Sequence, residues 1–185
     1  MNGDMKKILK LTFILFLICA ITAGVLGVVN EVTKDTIYMQ KNAKTIAAYS
    51  AVLASDRYED LEFDQAAFPT VETVSKADNG AGYVVKSTFS GAQGSITMVV
   101  GVDNDLKCTG ISITEHSETS GLGANAASSA EVGVKFREQF VGQGEDIALT
   151  KSGGSIEALT GATITSNAVT EATATSIAVV KSILG

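Results

Sequence analysis

A run of hydroxyl-bearing residues interrupted by glycine and alanine lies near the C-terminal end of the chain, in the segment LTGATITSNAV of residues 159–169. Its residues 165–167 are all good N-cap residues, so the segment predicts a compact turn that opens a helix. Backbone N–H groups at a helix start attract phosphate, and Gly161 and Ala162 let a ligand approach the backbone closely. Taken alone, however, this composition favours an ordinary capped helix.

A second polar segment, HSETSGLG, occupies residues 116–123. It lies within a stretch rich in Ser, Gly, Ala and Asn over residues 115–130, which predicts a long loop of the kind that often carries function. His116 is the only histidine, and its type fits either a structural hydrogen bond or a proton donor. Since neither a nucleophile–base pair nor enough metal ligands is evident, no catalytic residue and no metal site is predicted.

Both segments have counterparts in one known family. The string TGATITS of residues 160–166 resembles the flavinylation motif of the FMN-binding domain found in the Rnf and Nqr ion-pumping complexes. The string HSETSGLG resembles the His-x-Glu-Thr-Pro-Gly-Leu-Gly loop of that family, with Ser120 where the family usually has proline. The resemblance covers about residues 81–175. The small size and the single apolar N-terminal segment are more similar to the G subunit of Rnf complexes than to the larger C subunit of Nqr complexes.

The resemblance implies a cofactor and the residues that hold it. FMN would be attached covalently through a phosphoester bond to Thr165, and its attachment would require a flavin transferase that donates FMN from FAD. Residues 160–163 would form the turn around the phosphate: Thr160, Gly161, Ala162 and Thr163. Residues of the second segment would contact the isoalloxazine ring: Glu118, Thr119, Leu122 and Gly123.

The function implied by the resemblance is electron transfer. The chain would be one component of a membrane complex that moves electrons between reduced ferredoxin and NAD and exports Na⁺ or H⁺. Its partners would be the other membrane subunits, and no turnover is expected from this chain alone. Two alternatives stay open: an Nqr-type subunit that passes electrons toward quinone, and a membrane-tethered binding or scaffold module that carries no flavin.

The elements that must position these segments form an α+β pattern. Alternating apolar residues predict antiparallel strands within residues 83–90, 95–103 and 106–114, with a bulge at Gly110 in the last. Apolar residues at helical spacing predict packed helices over residues 129–141 and 166–184. The polar residues 55–80, which contain Pro69, predict an irregular connection.

Residues 11–29 are uncharged and predominantly apolar, and as a helix they would span about 28 Å, roughly one hydrocarbon core. Lys6, Lys7 and Lys10 precede them, so the positive-inside rule places residues 1–10 in the cytoplasm and the remainder outside. A cleaved signal peptide is the alternative, but the residues at the candidate cleavage site have the wrong spacing. The predicted order is a cytoplasmic N-terminus, a transmembrane helix, a stalk with a connecting region, and an extracytoplasmic FMN-binding domain: residues 1–10, 11–29, 30–80 and 81–185.

Charge and cysteine content exclude other classes of protein. Residues 31–185 hold 11 basic and 19 acidic side chains, a net charge of −8, which disfavours nucleic acid as a partner. Two cysteines in 185 residues rule out a disulfide scaffold and a four-cysteine metal site. Cys108 lies in a predicted strand, so a buried thiol is favoured over a redox centre. Cys19 lies within the predicted span and is assigned no role.

Overall fold

In this computed structural model the backbone is described for residues 3–185, and the side chains for residues 8–29 and 43–185. Met1, Asn2 and the side chains of residues 3–7 and 30–42 lie outside that description. They include Lys6 and Lys7 of the predicted cytoplasmic segment and part of the predicted stalk. The chain divides into two units, residues 1–43 and residues 44–185.

The first unit consists of helix, and its apolar part is long enough to cross a bilayer. Helix α1 runs from Gly3 to Val52 and so extends into the second unit. Within it, Ile8–Val29 is the one segment of the described residues with the length and hydropathy of a membrane span, and its large apolar side chains are exposed. Apolar side chains exposed in this way need a lipid or protein environment, which agrees with the span predicted over residues 11–29.

The second unit contains a five-stranded antiparallel sheet in which every strand pairs with the next along the chain, from β1 to β5. Short connections of this kind need no crossover, so a meander is the simplest way to pair successive strands. The five strands are β1 (Tyr58–Leu61), β2 (Val71–Ala77), β3 (Gly82–Ser90), β4 (Ser95–Asp103) and β5 (Cys108–His116).

Helices cover both faces of the sheet. Helices α2 (Glu131–Glu138) and α3 (Thr163–Leu184) pack over one face, where the main core lies. The last two turns of α1, from Lys44, pack over the other face in a smaller core that includes Tyr49, Val52 and Val99. The predicted α+β class with an antiparallel sheet and packed helices is therefore confirmed.

The bulge predicted at Gly110 is present and has a packing role. Gly101 pairs with Gly110 while Val102 pairs with Cys108, so Thr109 is the extra residue in β5. The hydroxyl of Thr109 donates to the carbonyl oxygen of Val52 at the end of α1. Because the facing glycines have no side chain, the backbone of α1 approaches the sheet closely at this point.

Besides the start of α3, three secondary-structure predictions need correction. The predicted irregular connection over residues 55–80 contains β1 and β2. Helix α2 is shorter than the predicted residues 129–141, since the chain after Glu138 tightens into turns. Strand β5 starts at Cys108 rather than at Leu106, because Leu106 has a left-handed conformation, φ 59°, in the turn from β4.

Candidate functional site

The start of α3 differs from the sequence prediction and determines where each hydroxyl of the TGATITS segment lies. The helix begins at Thr163, three residues earlier than predicted, and Ala162 occupies the cap position without a side-chain cap. Gly161 has a φ of +72°, which a residue with a Cβ rarely adopts, and this lets the chain turn directly into the helix. Thr165 and Ser166 therefore lie within the helix and are not N-caps.

The hydroxyl of Ser166 is occupied by the turn itself. It accepts a hydrogen bond from the backbone N–H of Leu159 at 2.9 Å and donates one to the carbonyl oxygen of Ala162 at 2.9 Å. The side chain is fully buried. These two bonds close the turn from the inside, which explains why the helix starts early, and they leave Ser166 a structural role.

Thr165 is buried beside an acidic side chain. Its side chain is 1% exposed, and its hydroxyl donates a hydrogen bond to Oε2 of Glu118. Glu118 lies 47 residues earlier in the chain, in the loop that follows β5. The two segments singled out in the sequence therefore meet through their side chains at one point.

The carboxylate of Glu118 is held in a fixed place from a third segment. The turn between β3 and β4 supplies the backbone N–H of Gln93, which donates to Oε1 of Glu118 at 3.1 Å. A Cβ on Gly91, in the same turn, or on Gly123 would collide with a carboxylate oxygen of Glu118. Glu118 is 9% exposed, so this cradle of two glycines and one amide is what orients a buried carboxylate.

The pair formed by Thr165 and Glu118 is closed off from solvent. A short 3₁₀ helix, Gly123–Ala127, packs against it and contributes Ala126 and Ala127 to its surroundings. The space between these side chains is too small for a water molecule. Arg137 of α2 stabilises the C-terminal end of this short helix. Its guanidinium donates to the carbonyl oxygens of Ala126 and Ser128 at 2.6 and 2.9 Å.

Other predicted site residues lie at the surface around this closed pair. Thr119, Thr160, Gly161 and Thr163 are exposed, whereas Ala162 and Gly123 are buried. Leu122 is 44% exposed, and a Cβ on Gly161 would contact it, so the loop after β5 reaches the turn before α3. The structure therefore brings the predicted residues of both segments together, with Glu118 and Thr165 inside and most of the others outside.

A groove of about 330 Å³ with mixed polar and apolar lining lies along the first turns of α3. It is lined by Thr163, Asn167 and Glu171 of the helix and by Lys151 and Ser152 of the preceding connection. Ile164, beside the groove, is the most exposed large apolar side chain of this part of the chain, at 64%. Lys151 and Gln93 were not predicted, because neither belongs to a string with a recognisable spacing. Ile164 lies within the TGATITS string but was given no role there.

These features provide groups that fit an FMN at the start of α3. The donor set offers a threonine hydroxyl in the first turn of a helix, and a glycine turn whose backbone can be approached. Leu122 and Ile164 offer apolar surface, and the groove that Ile164 lines offers hydroxyl, amide, ammonium and carboxylate groups for a polar cofactor. A phosphate at Thr165 would require the closed packing around this residue to open.

His116 and Cys108 occupy positions that fit structural roles. The ring of His116 accepts the backbone N–H of Glu118 at Nδ1, at 3.3 Å. Cys108 is buried, and burial raises the pKa of its thiol from 9.0 to about 12, so it carries little thiolate at neutral pH. The favoured interpretation of Cys108 as a buried thiol is thus confirmed. Among the described residues, no three His, Cys, Asp or Glu side chains form a group that could hold a metal ion.

Comparison with known proteins places this geometry in a family. Residues 91–178 match the FMN-binding domain family, and residues 1–52 match the RnfG N-terminal region. The chain thus combines an FMN-binding domain with an N-terminal region of the RnfG type. It belongs to the family of G subunits of the Rnf ion-translocating oxidoreductase complexes.

Three relatives illustrate the similarity. The G subunit of the ion-translocating oxidoreductase complex of Methanosarcina acetivorans is 33% identical over 90% of each chain. The G subunit of the Na⁺-translocating ferredoxin:NAD⁺ oxidoreductase complex of Acetobacterium woodii is 34% identical over 97% of this chain and 95% of its own. The G subunit of the proton-translocating ferredoxin:NAD⁺ oxidoreductase complex of Clostridium ljungdahlii is 36% identical over 60% of this chain and 59% of its own.

One solved structure is also similar, that of the C subunit of the Na⁺-translocating NADH-quinone reductase from Parabacteroides distasonis. It is 22% identical, covers 63% of this chain and 64% of its own, and superposes with a TM-score of 0.45.

Proposed function

We propose that this chain carries FMN covalently on Thr165 and relays electrons within an ion-translocating ferredoxin:NAD oxidoreductase complex. The bound flavin supplies the redox chemistry, while the chain holds, orients and insulates it. The relatives from Acetobacterium and Clostridium carry names that state the ferredoxin:NAD reaction. Their similarity to this chain favours that assignment over an Nqr-type subunit and over a module without flavin.

The observation that carries the proposal is the pairing of Thr165 with Glu118. The TGATITS segment holds four hydroxyls, on Thr160, Thr163, Thr165 and Ser166. Of these four hydroxyls, all of which belong to described residues, only that of Thr165 donates a hydrogen bond to a carboxylate, which is the arrangement that activates a hydroxyl for attack on phosphorus. Ser166 is committed to the turn, and Thr163 and Thr160 face the exterior.

The apolar segment Ile8–Val29 and the family membership support a membrane-anchored protein. We place the N-terminus in the cytoplasm and residues 44–185 on the outer face of the cytoplasmic membrane, since Lys6, Lys7 and Lys10 precede the apolar segment. The other subunits of the complex are the partners of the anchored chain. A flavin transferase that uses FAD as donor loads the cofactor, and a covalent link keeps FMN from being lost outside the cell.

The test of the acceptor residue is peptide mass spectrometry after co-expression with a flavin transferase. We expect the peptide containing residues 159–169 to carry the mass of one FMN less one water on Thr165. Thr165→Val keeps the shape and removes the acceptor, so covalent flavin should be lost while the chain remains folded. Thr163→Val is the matched control, and it should keep the covalent flavin.

Two outcomes would contradict the proposal at different levels. Flavin retained in Thr165→Val and lost in Thr163→Val would move the acceptor to the exposed hydroxyl. A native chain that carries no covalent flavin after co-expression would remove the basis for its role as a covalent electron carrier.

A further inference from the structure

From the contacts of Glu118 we infer that its carboxylate is the general base for the attachment of FMN to Thr165, so that the chain supplies a catalytic residue for its own modification. This inference rests on the proposed covalent FMN. It assigns Glu118 to the reaction that loads the cofactor, which differs from the contact with the flavin ring that the sequence resemblance implies.

The first support is the contact between nucleophile and base. The hydroxyl of Thr165 points its hydrogen at Oε2 of Glu118, so the lone pairs of the oxygen are left for attack. A threonine hydroxyl is a weak nucleophile at neutral pH and needs a group that takes its proton. Among the described residues, Glu118 is the only acidic side chain with a hydrogen bond to a hydroxyl of the TGATITS segment.

The second support is that the base is itself oriented by a third group. The Gln93 N–H holds Oε1, which leaves Oε2 directed at the hydroxyl. Gly91 and Gly123 make room for the carboxylate, because a Cβ at either position would overlap one of its oxygens. A nucleophile, a base and an orienting group in sequence is the arrangement that activates hydroxyls in enzymes.

The third support is that the base has one hydrogen bond from outside the segment that closes the site. The Gln93 amide of the β3–β4 turn binds Oε1 of Glu118, whereas the short helix Gly123–Ala127 packs against both the carboxylate of Glu118 and the hydroxyl of Thr165. Outward movement of the short helix exposes the hydroxyl of Thr165 while the Gln93 amide keeps the base in place. The exposed position of Leu122, directly before that helix, is consistent with a segment that can be displaced.

The step balances with FAD as the donor. The oxygen of Thr165 forms a bond to the phosphorus on the riboflavin side of the pyrophosphate, and the bond from that phosphorus to the bridging oxygen breaks. AMP leaves with the electron pair of the broken bond. The proton of Thr165 passes to the carboxylate of Glu118 and from there to water. No oxidant or reductant is involved, and the product is a phosphodiester between Thr165 and riboflavin.

The test is the rate at which the unloaded full-length chain, in detergent, acquires covalent flavin from FAD and a flavin transferase. Denaturing-gel fluorescence and intact mass measure the product at several concentrations of the chain. Glu118→Gln keeps the size and the hydrogen-bond acceptor but cannot act as a comparable base. We expect its kcat to fall by about 100-fold or more, with KM for the chain within about threefold of the wild type.

Control variants separate chemistry from folding and docking. Glu138→Gln, an exposed position on α2, makes the same chemical change away from the site and should leave kcat and KM unchanged. Glu118→Asp retains a carboxylate but withdraws it by one methylene, so its rate should lie between those of the wild type and Glu118→Gln. Melting curves of all variants report whether the domain remains folded.

The outcomes distinguish the assignment of Glu118 as the base from the proposed function. Wild-type kcat in Glu118→Gln, or a defect confined to KM, would overturn the assignment of the base. If Glu118→Gln does not fold, Glu118→Asp decides, and a wild-type kcat in that variant would also overturn it. A wild-type chain that acquires no flavin at all would contradict the proposed function instead, because the assignment of the base presupposes that transfer occurs.

Discussion

Ser87, in the middle of β3, is a buried polar residue without a hydrogen-bond partner for its hydroxyl, which is the only such case among the described side chains. Burying an unpaired hydroxyl costs about 1–3 kcal/mol, because its bonds to water are lost and not replaced. The surrounding strand residues Val85 and Phe89 are buried in the main core. The position therefore favours an apolar side chain.

Ser87→Ala should raise the free energy of unfolding by about 1 kcal/mol, since it removes the unpaired group without leaving a large cavity. Chemical denaturation of the full-length chain in detergent measures the change. Ser166→Ala is the matched control and should lower the stability by a similar or larger amount, because its hydroxyl makes two buried hydrogen bonds. A destabilised Ser87→Ala would mean that the hydroxyl has a partner in solution.

At the same scale, the sequence predicts candidate residues for the site, but not how they meet. Local spacing predicts the turn at Gly161 and the polar loop after β5, since both depend on neighbouring residues. The contact between Thr165 and Glu118 joins residues 47 positions apart, and the bond from Gln93 comes from a backbone amide. Neither leaves a signal in residue spacing, so only the folded chain reveals the pair.

At the scale of elements, the success of the strand predictions depended on regular alternation. Strands β3 and β4 have nine residues each, with apolar residues at alternate positions, and were predicted from this pattern although both of their faces are largely buried. Strand β2 has a register irregularity between Val71 and Thr73, which breaks the period of two. Strand β1 has only four residues and lies at the sheet edge, where two charged residues face solvent. Both were therefore missed.

The contact between the end of α1 and the sheet gives an element-scale prediction. A Cβ on Gly101 would lie 2.6 Å from the carbonyl oxygen of Val52 and would also overlap the hydroxyl of Thr109. Gly101→Ala should therefore force α1 away from β4 and β5 and destabilise the domain by about 1–3 kcal/mol. Urea denaturation measures the loss of stability.

Gly144→Ala serves as the control for this change. A Cβ at Gly144 would approach only the flexible end of the Lys107 side chain, at 3.2 Å, so this variant should unfold near the wild-type urea concentration. Equal stability of the two variants would show that the end of α1 is not held against the sheet as described.

At the scale of the whole molecule, the apolar segment and the charges on either side predict a single crossing of the membrane. A reporter that is active only after export, fused behind Gly185, should be active, and a reporter that is active only in the cytoplasm should be inactive at the same site. Replacing Lys6, Lys7 and Lys10 together by glutamine should lower the fraction of correctly oriented chain. Activity of the cytoplasmic reporter in the wild-type fusion would reverse the proposed orientation.

The burial of Thr165 also affects the rate at which flavin would be attached. Under the proposed attachment of FMN to Thr165, loading requires a fluctuation that exposes the hydroxyl before each transfer event. When the transferase is scarce, the rate follows the small equilibrium population of the exposed form. When the transferase is abundant, the rate reaches a ceiling equal to the frequency of exposure, as in amide hydrogen exchange. The rate of flavin attachment is then set by the segment that covers Thr165, and a higher transferase concentration does not increase it.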